Sequence, residues 1–167
     1  MTYTAAELVT LLDLFRHPEG GWYRETYRAA EQIAGTVLPQ RFGGDRCFST
    51  AIYFMLEPGD FSALHRIKAD ELWHHYSGSS VLVHRIDPDG SYHRLQLGPN
   101  LAAGGQFQLM VPAGCWFGAE PAGHDYALVG CTVAPGFDFT DFELAERAQL
   151  LACYPQHADL IRRLTRM

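Results

Sequence analysis

The segment 59–78, GDFSALHRIKADELWHHYSG, constrains the fold of this chain more than any other stretch. It places His65 near the end of one predicted strand (61–67) and Glu71 at the start of the next (71–76). The two side chains therefore lie on consecutive predicted strands joined by a short turn, and an imidazole near a carboxylate is a pair suited to proton transfer or to anchoring a polar ligand. The segment thus marks the position of a candidate site.

Many short aromatic and β-branched runs separated by turns follow Trp22, with no alternation of strands and helices, which is typical of a sandwich or barrel. The turn at 87–90, Asp-Pro-Asp-Gly, joins two of these runs. The predicted strands are 22–28, 48–56, 61–67, 71–76, 81–86, 91–97, 106–111, 115–119 and 126–133.

Helices are predicted only at the two ends of the chain. Thr4 with Glu7 forms a capping box for an N-terminal helix within residues 1–16. Thr140 with Glu143 forms a second one, predicting a C-terminal helical segment over 140–165 that Pro155 interrupts. Residues 1–167 are thus predicted to form a single all-β domain, whose barrel spans 22–133.

Composition excludes several classes of partner. With 167 residues, 47% of them hydrophobic, the chain can bury a core, and its net charge of −6 predicts no binding to nucleic acid or anionic membranes. No apolar run approaches the roughly 18 residues of a transmembrane helix, and no signal peptide is recognisable. Four scattered cysteines (Cys47, Cys115, Cys131 and Cys153) predict reduced buried thiols in a cytoplasmic protein.

The spacing of 59–78 resembles the first cupin motif, G-x5-H-x-H-x3-E-x6-G, except that Ile67 replaces the second histidine. The second motif, G-x5-P-x-G-x2-H-x3-N, resembles the region around Pro112-Ala113-Gly114, where Phe117 takes the histidine position. Metal-binding cupins use these histidines and the glutamate as ligands, so no metal cofactor is favoured here. If a metal is present, His65, Glu71 and His75 are the predicted ligands, since His75 shares strand parity with Glu71.

Longer stretches resemble the Cupin-5 family of small cupins. This resemblance implies a double-stranded β-helix (jelly-roll) barrel and a homodimer, without implying an activity. The stretches are HPEGGWYRETYR (17–28), STAIYFML (49–56), FSALHRIKADELWHHYSG (61–78), LMVPAGCWFGAE (109–120) and CTVAPGFDF (131–139).

Two short strings are also similar to epimerases of the dTDP-4-dehydrorhamnose 3,5-epimerase type, which are metal-free cupins. GWYRET (21–26) is similar to their first-strand pattern, and Leu64-His65 to their Leu-His. The similarity implies that His65 is a general base, that Glu25 contacts the ligand, and that the ligand is a sugar nucleotide or another small polar metabolite. Tyr76 and Tyr126 are both available as acids, and only proximity in the fold can choose between them; Tyr126 is included with His65 and Glu71 as a candidate catalytic residue.

Three functions remain open from the sequence. The first is a metal-independent isomerase or epimerase of a sugar-like carbonyl compound, in which Glu71 orients His65 and Tyr126 returns the proton. The second is a non-catalytic metabolite-binding module, and the third is a metal enzyme.

Strand alternation puts Glu25 inside the barrel and Arg28 on the opposite face. The remaining predicted ligand contacts are Trp73, His75 and Phe117.

Overall fold

A computed structural model describes residues 3–166 of the chain. None of the helices in this described range is long and apolar enough to cross a membrane. The helices are α1 (Ala5–Leu11), α2 (Arg147–Cys153) and α3 (Ala158–Arg163). The strands are β1 (Phe15–Arg16), β2 (Trp22–Arg28), β3 (Gln32–Ile33), β4 (Arg46–Cys47), β5 (Thr50–Leu56), β6 (Ser62–Arg66), β7 (Asp70–Gly78), β8 (Val81–Ile86), β9 (Tyr92–Leu97), β10 (Gln108–Val111), β11 (Trp116–Pro121), β12 (Ala127–Ala134) and β13 (Glu143–Leu144).

Two antiparallel sheets form the barrel. The six-stranded sheet has the order β1-β2-β5-β12-β7-β10, and the five-stranded sheet has the order β13-β6-β11-β8-β9. Strands that are distant in sequence are neighbours in both sheets, as the pairing of β12 with β5 and β7 illustrates. The predicted double-stranded β-helix barrel is therefore confirmed.

The interior of the barrel is filled by side chains from both sheets. Phe54 and Trp73 from the six-stranded sheet and Phe117 from the five-stranded sheet are the largest fully buried side chains. Their rings meet edge to face, with centroids 5.9 Å apart for Phe54 and Trp73 and 6.4 Å apart for Trp73 and Phe117. The part of the barrel around these three rings is thus filled by close-packed side chains, and a cavity can lie only toward the opposite end.

Helices cover the outer faces of the barrel. Helix α1 packs Leu8 against Met55 of the six-stranded sheet. Helices α2 and α3 pack Leu150 and Ile161 against Leu64 of the five-stranded sheet. These contacts bury the apolar side chains that the sheets present outward.

The N-terminal helix is shorter than the predicted range 1–16. Its capping box is confirmed, because the Thr4 N–H donates to Glu7 Oε2 at 2.8 Å and the Glu7 N–H donates to Thr4 Oγ1 at 3.3 Å. The helix ends at Leu11, and Asp13 takes a left-handed conformation (φ 53°). The following residues pair with β2 as strand β1, because the backbone has already reversed direction.

The second predicted capping box is wrong. Thr140 lies in a short 3-10 turn, where Asp138 accepts its backbone N–H at 2.8 Å, and Glu143 lies in strand β13. Glu143 pairs in register with Arg66 and forms an ion pair with it at 2.7 Å, so strand pairing outweighs the local helix signal. The C-terminal helical region begins with α2, and Pro155 opens the interruption before α3, as predicted.

The four cysteines are free thiols. Cys47, Cys115 and Cys131 are buried, as predicted, whereas Cys153 is exposed at the end of α2. The exposure of Cys153 follows from its position on the solvent side of a short helix.

Candidate functional site

A cavity of about 290 Å³ lies inside the barrel, at the end that the aromatic core leaves open. Its walls come from β2, β5, β6, β7 and β12, from the turn before β2 and from the segment after β12. The lining residues are His17, Glu19, Tyr23, Glu25, Arg28, Thr50, Ile52, Phe54, His65, Ile67, Glu71, Cys131, Val133, Phe137, Phe139 and Phe142.

The turn 17–21 carries two of the polar side chains into this cavity. The Gly20 N–H donates to His17 O at 3.0 Å, and the His17 N–H donates to Gly21 O at 3.1 Å. Gly20 has a φ of +111°, and a Cβ there would lie 2.2 Å from the carbonyl oxygen of Phe61. Only glycine fits this position, and the tight turn fixes the directions of the His17 and Glu19 side chains.

Glu19 and His65 form a buried pair. Glu19 Oε2 lies 3.2 Å from His65 Nε2, and both side chains are less than a tenth exposed. His65 Nδ1–H donates to the carbonyl oxygen of Ala63 at 2.8 Å, while the Ser62 hydroxyl donates to Glu19 Oε1 at 2.9 Å. Burial raises the pKa of Glu19 and lowers that of His65. One proton is therefore shared between the Glu19 carboxyl and His65 Nε2, and neither group carries an unpaired charge.

His17 keeps one donor directed away from this pair. The Glu19 backbone N–H donates to His17 Nδ1 at 3.3 Å, so the neutral ring carries its proton on Nε2. Burial lowers the pKa of His17, since its side chain is only 8% exposed, and this favours the neutral ring. Among residues 3–166, the side-chain hydrogen bond of His17 is made through Nδ1, and none is made by Nε2. His17 therefore offers an uncommitted N–H to a ligand in the cavity.

Glu71 is a buried carboxyl group that forms no ion pair with a Lys or Arg side chain among residues 3–166. It stands on β7 between Val111 of β10 and Val133 of β12. Its pKa is raised from 4.5 to about 7, chiefly by burial and also by the nearby charge of Glu19, while His65 and a hydrogen bond from the Cys131 thiol lower it. Glu71 can therefore hold or release a proton near neutral pH.

Glu25 and Arg28 form the half-exposed side of the cavity. A β-bulge between Glu25 and Tyr27 changes the alternation of β2. The Arg28 guanidinium donates to both Glu25 carboxylate oxygens, at 2.9 Å and 2.7 Å, and to the carbonyl oxygen of Phe137 at 3.2 Å. The prediction that Arg28 lies on the opposite face from Glu25 is therefore wrong, because simple alternation does not hold across a bulge.

Three phenylalanines close the cavity from the segment after β12. The ring centroids of Phe137 and Phe139 are 5.0 Å apart, and Phe142 lies 6.2 Å from Phe139. The segment is held from behind by Arg46 and Asp141, whose side chains are buried and joined by two hydrogen bonds of 2.7 Å and 2.6 Å. The aromatic wall is therefore part of the packed structure.

Comparison with known proteins identifies the family of the chain. A family profile described as Cupin superfamily (DUF985) matches residues 6–145. The chain belongs to this cupin family. The protein SO0799 from Shewanella oneidensis is similar over 99% of both chains, with 40% identity and a TM-score of 0.89. A hypothetical protein from Leishmania major is similar over 99% of this chain and 100% of its own, with 35% identity and a TM-score of 0.89.

More distant similarity supports the fold alone. Oxalate decarboxylase from Bacillus subtilis has 16% identity and a TM-score of 0.55, over 92% of this chain and 37% of its own. No curated protein matches the sequence. The predicted Cupin-5 family is thus confirmed, and the function of the cupin must be argued from its own cavity.

Three of the predicted site residues of the cupin meet in this cavity, namely His65, Glu71 and Glu25. Their pairing differs from the prediction, because His65 faces Glu19, and Glu71 lies nearby without bonding to the imidazole. Glu25 is committed to Arg28 at the cavity entrance. The carboxylate that orients His65 is therefore Glu19, which comes from the turn before β2.

Trp73 and Phe117 do not line the cavity and instead support its wall. Both are about 1% exposed, and the Phe117 ring lies 4.1 Å from the His65 ring, centroid to centroid. Their predicted role as ligand contacts is corrected, because the core between the sheets encloses both rings. Phe117 packs directly against His65, and Trp73 packs against Phe117 and against Phe54, which does line the cavity.

Tyr126 and His75 lie away from the cavity. Tyr126 packs with Leu8 of α1 on the outer face of the six-stranded sheet, so its predicted role as an acid beside His65 is corrected. His75 Nε2 lies 3.2 Å from the carbonyl oxygen of Ser79, next to a register shift between β7 and β12 that disturbs the expected alternation. The possible metal set His65, Glu71 and His75 is thus not assembled. Within residues 3–166, no three His, Cys, Asp or Glu side chains are grouped as a metal site.

The sequence reasoning did not assign roles to His17 and Glu19. Both lie in the string HPEGG, which is recognisable as the end of the first helix and as a turn. A histidine and a glutamate two residues apart, directly before paired glycines and a strand, are a signal for side chains held rigidly at a barrel end. The residues from β6 and β7 that they meet are distant in sequence, so the pairing itself could not be predicted.

Proposed function

We propose that this cupin binds a small carbonyl compound in its barrel and catalyses a proton shift within it, as an isomerase does. The observation that carries the proposal is the combination of a buried carboxyl without a cationic partner, Glu71, with an uncommitted N–H donor, His17 Nε2, in the same cavity. A base and a hydrogen-bond donor that share a largely apolar cavity suit proton abstraction next to a carbonyl.

The reaction needs no redox partner. The ionised Glu71 carboxylate removes a proton from the carbon next to the carbonyl, and the C–H electron pair becomes the C=C bond of an enolate. The carbonyl oxygen takes the negative charge and accepts the hydrogen bond from His17 Nε2–H. Glu71 then returns a proton from the same side, which regenerates the carbonyl. The proton goes to the original carbon or, where a second C=C makes the intermediate a dienolate, to its distal carbon, which shifts the double bond. A pKa of about 7 allows Glu71 to act in both directions at neutral pH.

His65 has a positioning role in this proposal, unlike the general base predicted from the sequence. Its Nδ1 is held by the Ala63 carbonyl and its Nε2 faces Glu19, so both nitrogens are engaged. The pair fixes Glu19, whose backbone N–H in turn fixes the tautomer of His17. His65 and Glu19 therefore support the donor, and Glu71 takes the proton.

A non-catalytic binding module is the second candidate. It is favoured by the completeness of the Glu19–His65 pair, whose buried hydrogen-bonding groups are satisfied without a ligand. A binding module would be stabilised by its ligand and would release it unchanged. Isotope exchange with solvent separates the two functions.

The protein is incubated in deuterated buffer with aldoses, ketoses, keto acids and cyclic ketones, and deuterium incorporation is measured by NMR. We expect incorporation at one carbon in at least one of these compound classes. His17→Phe keeps an aromatic ring among Tyr23 and Phe139 but removes the donor, and should slow the exchange by about 10²-fold. His93→Gln alters a 41%-exposed imidazole outside the cavity and should leave the rate unchanged. Exchange in no compound class, or an equal rate in His17→Phe, would contradict the isomerase proposal.

A further inference from the structure

We infer that the ligand of this cavity is an uncharged, largely apolar cyclic ketone or aldehyde of one or two rings. The inference rests on the proposed function and specifies its substrate class. It differs from the sugar nucleotide that the sequence predicts. Four features of the cavity lead to it: its walls, its charge, its size and its small number of available donors.

Hydrocarbon forms most of the cavity wall away from the polar cluster. Ile52, Ile67 and Val133 line it from the strands, and Phe137, Phe139 and Phe142 line it from the closing segment. None of these side chains can hydrogen-bond to a ligand. A sugar carries a hydroxyl on nearly every carbon, and each hydroxyl that loses water without gaining a partner weakens binding by roughly tenfold or more. An apolar ring instead gains contact with these walls.

The charge of the cavity disfavours anions. Glu19 and Glu71 are buried in it, whereas the one cationic side chain that lines it, Arg28, is already bound bidentately to Glu25. A phosphate, diphosphate or carboxylate would therefore meet carboxyl groups with no free cation to compensate. The diphosphate of a sugar nucleotide and the carboxylates of a keto acid are both unsuited to this site.

The volume of the cavity limits the ligand to a compact molecule. It measures about 290 Å³, which is roughly twice the volume of about 150 Å³ that suffices to bind benzene in an apolar protein cavity. One or two fused rings fill such a space, whereas a nucleotide attached to a sugar does not.

Few hydrogen-bond donors of the cavity remain available to a ligand. The Thr50 hydroxyl accepts the backbone N–H of Phe137 at 3.0 Å, and the Cys131 thiol is engaged by Glu71. Glu19 and His65 are engaged with each other. The Nε2–H of His17 remains, together with the hydroxyl of Tyr23, whose ring lies 4.6 Å from that of His17, centroid to centroid. A ligand with a single carbonyl acceptor suits so few donors.

Three compounds test the inference: 2-tetralone as the uncharged cyclic ketone, erythrulose as an open-chain ketose, and phenylpyruvate as the aromatic keto acid. Deuterium incorporation above the buffer rate and binding by ligand-observed NMR are measured for each. We expect 2-tetralone to exchange and bind, and the other two to be at least tenfold weaker in both measurements. Glu71→Gln should still bind 2-tetralone while losing its exchange.

The two proposals fail in different ways. If erythrulose or phenylpyruvate exchanges faster than 2-tetralone, the proposed isomerase stands and the substrate class is wrong. If 2-tetralone binds in the cavity without any exchange, the inferred class of ligand is correct and the proposed isomerase activity is wrong. If 2-tetralone neither binds nor exchanges, the inference is overturned.

Discussion

Replacing Glu71 by glutamine should lower the rate of solvent deuterium incorporation by about 10³-fold. The amide has nearly the same shape as the carboxyl but cannot accept a proton at neutral pH, and general acid–base catalysis contributes roughly 10²–10⁴-fold to such reactions. Glu71 is the residue whose pKa of about 7 suits this role, and no Lys or Arg side chain forms an ion pair with it among residues 3–166. The measurement is the initial exchange rate of the best compound, compared for the two proteins at equal concentration.

The stability of the same variant distinguishes a loss of the catalytic group from a loss of folded protein. The pKa of Glu71 is about 7 when folded and about 4.5 when exposed, so between these values the folded protein holds a proton that the unfolded chain has lost. The contribution of Glu71 to stability therefore falls as the pH rises through this window, by about 3 kcal/mol in total. The unfolding free energy of Glu71→Gln, relative to that of the wild type, should therefore increase by this amount between pH 4.5 and pH 8. A stability difference that does not change between pH 4.5 and 8, or a variant that still exchanges at the wild-type rate, would count against the role of Glu71.

Replacing Arg46 by alanine should destabilise the protein by about 3–5 kcal/mol, the cost of breaking a buried ion pair. The Arg46 guanidinium donates to both oxygens of Asp141, to the carbonyl oxygens of Asp45 and Phe42, and to the Thr140 hydroxyl. Without it, the buried Asp141 keeps only Lys68 as a cationic neighbour, at 3.2 Å. Urea unfolding followed by fluorescence measures the loss.

Arg66→Ala is the matched control for Arg46→Ala. Arg66 also pairs with a carboxylate, at 2.7 Å from Glu143, but the two side chains are 42% and 52% exposed. Exposed pairs of this kind contribute about 0–1 kcal/mol, so this variant should remain close to wild type. Equal losses in the two variants would mean that burial of the Arg46–Asp141 pair does not set its energy.

The barrel could be predicted from the sequence because its signals are local. Strands β2 (Trp22–Arg28) and β8 (Val81–Ile86) have the predicted bounds, since each run of apolar and β-branched residues ends at turn residues. The capping box at Thr140 misled the prediction, because pairing of Glu143 with β6 is a non-local contact that a local motif does not reveal.

The candidate site was predictable only in part. The spacing of His65 and Glu71 placed both residues in one cavity, but the partner of each depends on the turn at Glu19 and on the bulge in β2. Strand alternation also wrongly predicted that His75 lies beside Glu71 inside the barrel, because a register shift between β7 and β12 occurs at this residue. Bulges and tight turns change which face a side chain occupies without a strong sequence signal. The homodimer and the cytoplasmic location stay predictions.

The titration of the Glu71 carboxyl tests the central claim most directly, namely that this group is buried without a cation and keeps its proton to near neutral pH. Protein labelled with ¹³C at the glutamate carboxyl carbons can be followed by NMR from pH 4 to 9, with Glu71→Gln identifying the resonance. We predict one glutamate resonance with a midpoint near pH 7, absent from the variant. A Glu71 midpoint near 4.5, as for an exposed carboxyl, would contradict the account of the site.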